Sequence, residues 1–199
     1  MIEKKYKFLC VQNLFSDLVE GEQKLKINFI SEEVPDDKNI KDLKNWFDKF
    51  LKNNLIDLEN NSLGLSFRTD DGFIITAKDS FVLIFNYDVY NNTLFVEGKE
   101  QPPLESIMHY LIYNTRGEMN VIFHGHHNLI VKNANKLKLP VTKNDPEPGT
   151  MEFANEVLDI IGDNNFVIIK NHGFVSLGRT MKEAGELALS ILKKAQSLK

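Results

Sequence analysis

The chain carries five histidines: His109, His124, His126, His127 and His172. Imidazole nitrogens bind transition metals and titrate near neutral pH, so the first chemical question is where these rings could meet. His124 and His126 stand at i and i+2 at the end of Asn120–Phe123, which reads as a short buried strand. A period of two sends both rings to the same side, and Gly125 between them leaves room for a backbone or a ligand to approach. Two imidazoles on one strand edge are half of a zinc site. His172 also follows an apolar strand end, in Lys170-Asn171-His172-Gly173, and in an α/β sheet the residues just past strand ends gather in one crevice. Three histidines and a water would leave an open coordination position, as in catalytic rather than structural zinc. Imidazole sites also accept iron, cobalt, nickel or manganese, so zinc is the expected ion and another divalent transition metal the alternative.

Taken singly, a His-x-His pair or a histidine before glycine is more often structural than ligating. His127 is expected to be a neighbour of the site, with its ring turned away from that of His126. His109 lies four residues after Glu105, where one helix face could carry both, although a simple surface pair would show the same spacing.

These residues need elements to hold them. Tyr6–Val11 and Leu25–Ile30 look strand-like, the second alternating between Leu25, Ile27, Phe29 and Lys24, Lys26, Asn28. A proline-broken charged stretch, Glu32–Lys38, follows. From Asn39 the spacing of Ile40, Leu43, Phe47, Phe50 and Leu51, with Trp46 beside them, predicts a helix. Gly64–Arg68 and Phe73–Thr76 flank the turn sequence Thr69-Asp70-Asp71-Gly72 and read as a hairpin; Phe81–Phe85 and Thr93–Val96 are further strands. A helix is expected from Gln101-Pro102-Pro103 to about Asn114, with Glu105 at the positive end of its dipole. Thr150 should cap a helix that turns Phe153, Ala154, Val157, Leu158 and Ile161 to one face. Phe166–Ile169 is apolar throughout and reads as a central strand. Thr180 and Glu183 spell a capping box for a last amphipathic helix. Such intermixing favours α/β layers, with residues 1–36 as an N-terminal extension of strands and 37–199 as one domain.

Composition narrows the function classes. Over 199 residues the chain is 42% hydrophobic and 26% charged, an ordinary globular balance. A net charge of −4 provides no basic field for nucleic acid or an anionic membrane, so neither is an expected partner. The single cysteine, Cys10, cannot form an intrachain disulfide and sits in an apolar run where a buried, inert thiol is expected. Met1-Ile2-Glu3-Lys4-Lys5 does not open a secretory signal, and no stretch approaches the roughly 18 uncharged residues of a membrane span. The expected location is cytoplasmic.

Read in order, several segments resemble the class II aldolase/adducin family, of the fuculose-phosphate aldolase type. Pro103–Tyr113 looks like that family's helix, an acidic residue followed four positions later by His and eight later by Tyr. Val121–His126 looks like its His-x-His strand, and Pro148-Gly149-Thr150 followed by Asn171–Thr180 like its third-ligand segment. The likeness covers about residues 39–197. It implies a three-layer α/β/α fold around a mixed, antiparallel-rich sheet, usually assembled as a homotetramer. It also implies that His124, His126 and His172 ligate the metal and that Glu105 is the acid/base carboxylate. In such a site the metal acts as a Lewis acid on carbonyl and hydroxyl oxygens and stabilises an enediolate while the carboxylate moves the proton.

Departures fall where the family handles phosphate. A Gly-Asn step is expected before Ser-x-Arg, and this chain has Leu63-Gly64 before Leu65-Ser66-Phe67-Arg68. A Thr-Pro-x-Gly turn is replaced by Thr76-Ala77-Lys78-Asp79, and serines before the acidic residue by Pro103-Leu104. Proline has no amide to donate, and Asp79 puts a negative charge where a dianion would sit, partly offset by Lys78. Gly64 and Lys78 are the candidate substrate-binding positions. The expected function is a zinc-dependent aldolase-type lyase acting on a small hydroxy-carbonyl compound that is not a standard sugar phosphate. Glutamate at position 105 favours aldolase over the related epimerases and dehydratases. The alternative is an adducin-like interaction module or a metal-binding domain without catalysis.

Overall fold

The computed structural model describes residues 25–55 and 64–198. The expected strand Tyr6–Val11, Cys10 and Leu63 lie outside the described residues. Among the described residues, eight strands form one sheet: β1 (Lys26–Ser31), β2 (Gly64–Arg68), β3 (Phe73–Thr76), β4 (Phe81–Asp88), β5 (Thr93–Glu97), β6 (Val121–Gly125), β7 (Phe166–Ile169) and β8 (Gly173–Gly178). Their order across the sheet is β1-β5-β4-β3-β2-β6-β8-β7. Only β1 and β5 run parallel; every other neighbouring pair is antiparallel. The expected mixed, antiparallel-rich sheet is what forms.

The described residues also form five helices that cover it: α1 (Ile40–Lys52), α2 (Ser106–Thr115), α3 (Asn128–Lys132), α4 (Met151–Ile161) and α5 (Met181–Gln196). Strand alternation sorts the core into two layers. On one face Ile75, Val82, Ile84, Ile122, Val167 and Val175 meet Ile107, Leu111, Phe153 and Val157 of α2 and α4. On the other, Leu65, Phe67, Ile74, Phe123 and Ile168 meet Leu43 and Phe50 of α1, Ile130 of α3, and Ala184 and Ala188 of α5. The result is an α/β/α sandwich.

Local signals set most boundaries. Thr150 and Thr180 adopt extended backbone, and their hydroxyls accept from the amides of Phe153 and Glu183, capping α4 and α5. The Glu183 carboxylate reaches back to the Arg179 amide at 2.8 Å, one residue earlier than a standard capping box.

Two expectations are corrected. Helix α2 begins at Ser106 rather than at the prolines, with Glu105 as its N-cap residue. A residue before proline is driven out of the helical region, so Gln101 and Pro102 stay outside the helix, and the Pro103 carbonyl accepts from the Ser106 amide at 3.0 Å to start the turn. Strand β7 is the last strand of the sheet, not a central one. It is apolar because helices cover both its faces: Phe166 and Ile168 enter one layer, Val167 and Ile169 the other. Its outer edge is occupied by the chain at 140–142, where the Ile168 amide donates to the Pro140 carbonyl and the Thr142 amide to the Ile168 carbonyl.

Candidate metal centre

The site sits where the central strands end on the α2/α4 face. His124 shares that face with Ile122 and is completely buried. Its Nδ1 lies 2.9 Å from the Phe174 carbonyl oxygen. A carbonyl can only accept, so Nδ1 carries the proton and the Nε2 lone pair points into the cluster. His126, two residues on, brings its Nε2 to 3.2 Å from that of His124. His172 enters from the β7–β8 turn and places its Nε2 3.0 Å from that of His126. The turn depends on Asn171, which holds a left-handed φ of 56° that asparagine tolerates and donates its amide to Asp145 Oδ2 at 3.0 Å. At Gly173 a Cβ would collide with the Gly125 carbonyl, so the two strand ends approach this closely only because no side chain intervenes. The Phe153 ring stands edge-on to His172, centroids 5.0 Å apart, and walls the site on the α4 side.

Glu105 completes the group from the start of α2. Its side chain makes no capping bond and is turned instead toward the rings, Oε1 lying 3.5 Å from His172 Nε2 and 3.8 Å from His124 Nε2. One donor atom from each of the four residues falls within 4.8 Å of every other.

Electrostatics favour a cation in their midst. Burial lowers His124 to about 3 against the raising influence of the Glu105 charge. Burial, then the neighbouring His172, lowers His126 to about 4. Both rings are therefore neutral at physiological pH. Burial alone would raise the Glu105 carboxyl, but hydrogen bonding to His172 and the proximity of His124 outweigh it and hold the group well below the ordinary carboxylate range. Neutral imidazoles and a carboxylate are the donor set of a divalent transition metal. Nitrogens about 2.0–2.1 Å from a tetrahedral zinc stand about 3.3 Å apart, close to the 3.0 and 3.2 Å separations found.

Residues 64–197 match the family described as "Class II Aldolase and Adducin N-terminal domain". The chain belongs to this family. Solved structures share the fold. An L-fuculose 1-phosphate aldolase superposes with a TM-score of 0.66 at 19% identity, over 83% of this chain and 86% of that one. A sugar-phosphate aldolase from Thermotoga maritima gives 0.64 at 16%, over 81% and 93%. YgbL from Escherichia coli, a candidate aldolase/epimerase/decarboxylase, gives 0.59 at 15%, over 79% and 86%. No curated protein matches the chain significantly by sequence.

Within this class II aldolase/adducin domain the structure gathers Glu105, His124, His126 and His172, and sets the other residues of interest apart. His127 turns away as expected: its Nδ1 accepts from the Ile130 amide, capping α3, and its Nε2 donates to the Asn54 carbonyl at 3.1 Å. Gly64 lies directly opposite His124 in the β2–β6 pairing. Lys78 is exposed in the turn between β3 and β4, with Asp79 beside it donating its amide to the Glu100 carboxylate. His109 is no surface residue. It is fully buried, its Nδ1 2.8 Å from Ser66 Oγ, which also lies 2.8 Å from the Tyr113 hydroxyl. Ser66 and Tyr113 stand in the family-like motifs, but the sequence alone assigned them no role in the site. The signal available was polar residues at alternate strand positions, Ser66 and Arg68, facing a helix that carries His109 and Tyr113 four apart.

Proposed function

We propose that the domain is a metal-dependent, class II aldolase-type lyase that cleaves or forms a carbon–carbon bond in a small hydroxy-carbonyl compound. The observation that carries this reading is the convergence of three imidazole Nε2 atoms and one buried carboxylate oxygen from three separate segments. His124, His126 and His172 would hold the ion, zinc by the fit of its donor set. Bound there, it would supply Lewis-acid polarisation of substrate oxygens. Glu105 is the proton-transfer group: its carboxylate is ionised at neutral pH, almost wholly buried at 5% exposure, and close to the cluster without being used as a helix cap. Burial keeps bulk water from competing for the proton it takes, and the Phe153 ring keeps the His172 side dry.

The substrate lacks a phosphate dianion in this reading. Pro103 offers no amide, Leu104 beside Glu105 exposes an apolar side chain to 55%, and the β3–β4 turn carries Asp79 next to Glu100. Of the two candidate substrate positions, Lys78 would contact the substrate through its exposed ammonium, whereas Gly64 is buried beneath the His109 ring.

Metal analysis of the purified chain tests the centre. Changing His124, His126 or His172 to Ala should each abolish zinc binding; full occupancy in all three variants would refute it. Glu105→Gln should keep the metal and lose metal-dependent cleavage across a panel of aldols. Tight binding of dihydroxyacetone phosphate by calorimetry would overturn the non-phosphorylated substrate.

A further inference from the structure

Glu105 differs from the other three members of the cluster in where it is carried. His124 and His126 follow from β6, and His172 sits in the turn between two hydrogen-bonded strands, so the sheet itself fixes their spacing. Glu105 stands at the first turn of α2, whose contact with the sheet is largely made by Ile107, Met108, Leu111 and Ile112. Apolar contact is non-directional and does not by itself fix where a helix sits along its axis. A shift of about one residue would move Glu105 by about 1.5 Å, enough to carry its oxygen out of the cluster.

Besides a Tyr110–Asn86 bond to β4, directional contacts to α2 run from β2, on the face that carries Glu105. The α2-facing residues of β2 are Gly64, Ser66 and Arg68, and each engages α2 at a successive turn. The His109 ring lies over Gly64, where an added Cβ would stand 3.0 Å from His109 Nε2. Ser66 Oγ lies 2.8 Å from both His109 Nδ1 and the Tyr113 hydroxyl. With Tyr113 donating to Ser66 and Ser66 donating to His109, both short contacts are satisfied. Arg68 Nη2 donates to the carbonyl of Tyr113 at 2.7 Å and of Met119 at 3.1 Å, beyond the helix end. Glu105, His109 and Tyr113 are spaced by four, so they stand one above another on one face of the helix. The strand that holds this seam is the one whose Gly64 pairs with His124.

We propose that this polar seam positions Glu105 against the histidine cluster, with Ser66, His109 and Tyr113 as positioning residues that act through the carboxylate. Buried polar networks of this kind specify register and geometry more than they add stability. The assignment rests on the metal-binding role proposed above.

A double-mutant cycle on zinc affinity of the full chain, measured by competition with a chromophoric chelator, tests it. Glu105→Ala should weaken zinc by about tenfold, the scale on which groups beside a metal act. Ser66→Ala and Tyr113→Phe should each weaken it by about threefold or more in the wild-type background and by nothing further in the Glu105→Ala background. Tyr110→Phe, which deletes a hydroxyl bonded to Asn86 on the same helix outside the seam, should change affinity in neither. Equal losses in both backgrounds would show that the seam acts on the histidines or on the fold at large, and would overturn the proposal. No loss in the wild-type background would overturn it as well. Tyr113→Phe removes only a hydroxyl and keeps the test decisive if Ser66→Ala does not fold. Failure of the wild-type chain to bind zinc at all would instead sink the metal reading, and this assignment with it.

Discussion

Acidifying the metal-free protein should destabilise it steeply between pH 6.5 and 4.5, and buried histidines should be the reason. His109 and His124 are both completely buried, and burial foremost lowers each to about 3. In the unfolded chain they would titrate near the ordinary value of about 6.5. The unfolded state therefore binds two protons that the native state refuses, and stability rises with pH across that interval and falls as pH drops through it. At about 1.4 kcal/mol per unit for each group, the slope well below 6.5 approaches 3 kcal/mol per pH unit, and the loss from pH 7 to pH 5 is about 4 kcal/mol. That is a large part of the 5–15 kcal/mol typical of a domain. Carboxylates stay out of this window, because those whose values are lowered in the fold, Glu105 among them, lose their contribution only below their unfolded value of about 4.5. His126, less deeply buried and lowered to about 4, steepens the fall in the same direction. Urea denaturation of chelator-treated protein at half-unit pH steps measures the slope. His109→Asn should reduce it by about 1.4 kcal/mol per unit while leaving the cluster in place. A stability that stays flat from pH 6.5 to 5 would refute the claim that these rings are buried and neutral.

Three further outcomes follow from the same geometry. Gly64→Ala should cost about 1–3 kcal/mol, read as a melting temperature lower by roughly 2–4 °C per kcal/mol, because its Cβ meets the His109 ring; paired with His109→Ala, the two losses should sum to less than their separate values. Thr180→Ala should cost about 1 kcal/mol by removing the hydroxyl that accepts from the Glu183 amide, measurable by urea titration. Zinc at a hundred times its dissociation constant should add about 2.7 kcal/mol to the unfolding free energy of the wild-type chain and nothing to His126→Ala.

Much of the site was legible from period and punctuation alone. His124 and His126 share a side because a strand repeats every two residues, and the strand was readable from Val121-Ile122-Phe123. That His172 joins them depends on β8 lying beside β6, a pairing between distant segments that no local pattern encodes. The errors have the same origin. Phe166–Ile169 is apolar because helices cover both its faces, and hydrophobicity reports that burial without reporting a strand's place in the sheet order. His109 read as a helix-surface residue as easily as a buried one, since helical spacing gives a face but not what the face meets. What it meets is Gly64 and Ser66, residues more than forty positions away.

The division of labour in the fold explains how the centre could persist while its surroundings change. The histidines are set by antiparallel pairing among β6, β7 and β8, and the β2 seam holds helix α2, which carries Glu105, through Ser66, His109 and Tyr113. Lys78-Asp79 and Pro103-Leu104 lie apart from both supports; of the departing positions, Gly64 enters one of them, beneath the His109 ring. Thr76 is buried, its Oγ1 accepting from the Leu65 amide at 3.1 Å, but Lys78, Asp79 and Leu104 are exposed, in the β3–β4 turn and ahead of the first turn of α2. Substitutions there can alter what a substrate meets without moving a donor atom of the cluster. If instead the centre had been released from selection along with the cradle, the residues at greatest risk would be the costly buried ones: a fully buried His124 whose Nε2 has no partner but other donor groups, and a Glu105 carboxylate held ionised in an apolar layer. Such groups destabilise a fold unless something binds between them, and their joint presence is the physical argument for a ligand there.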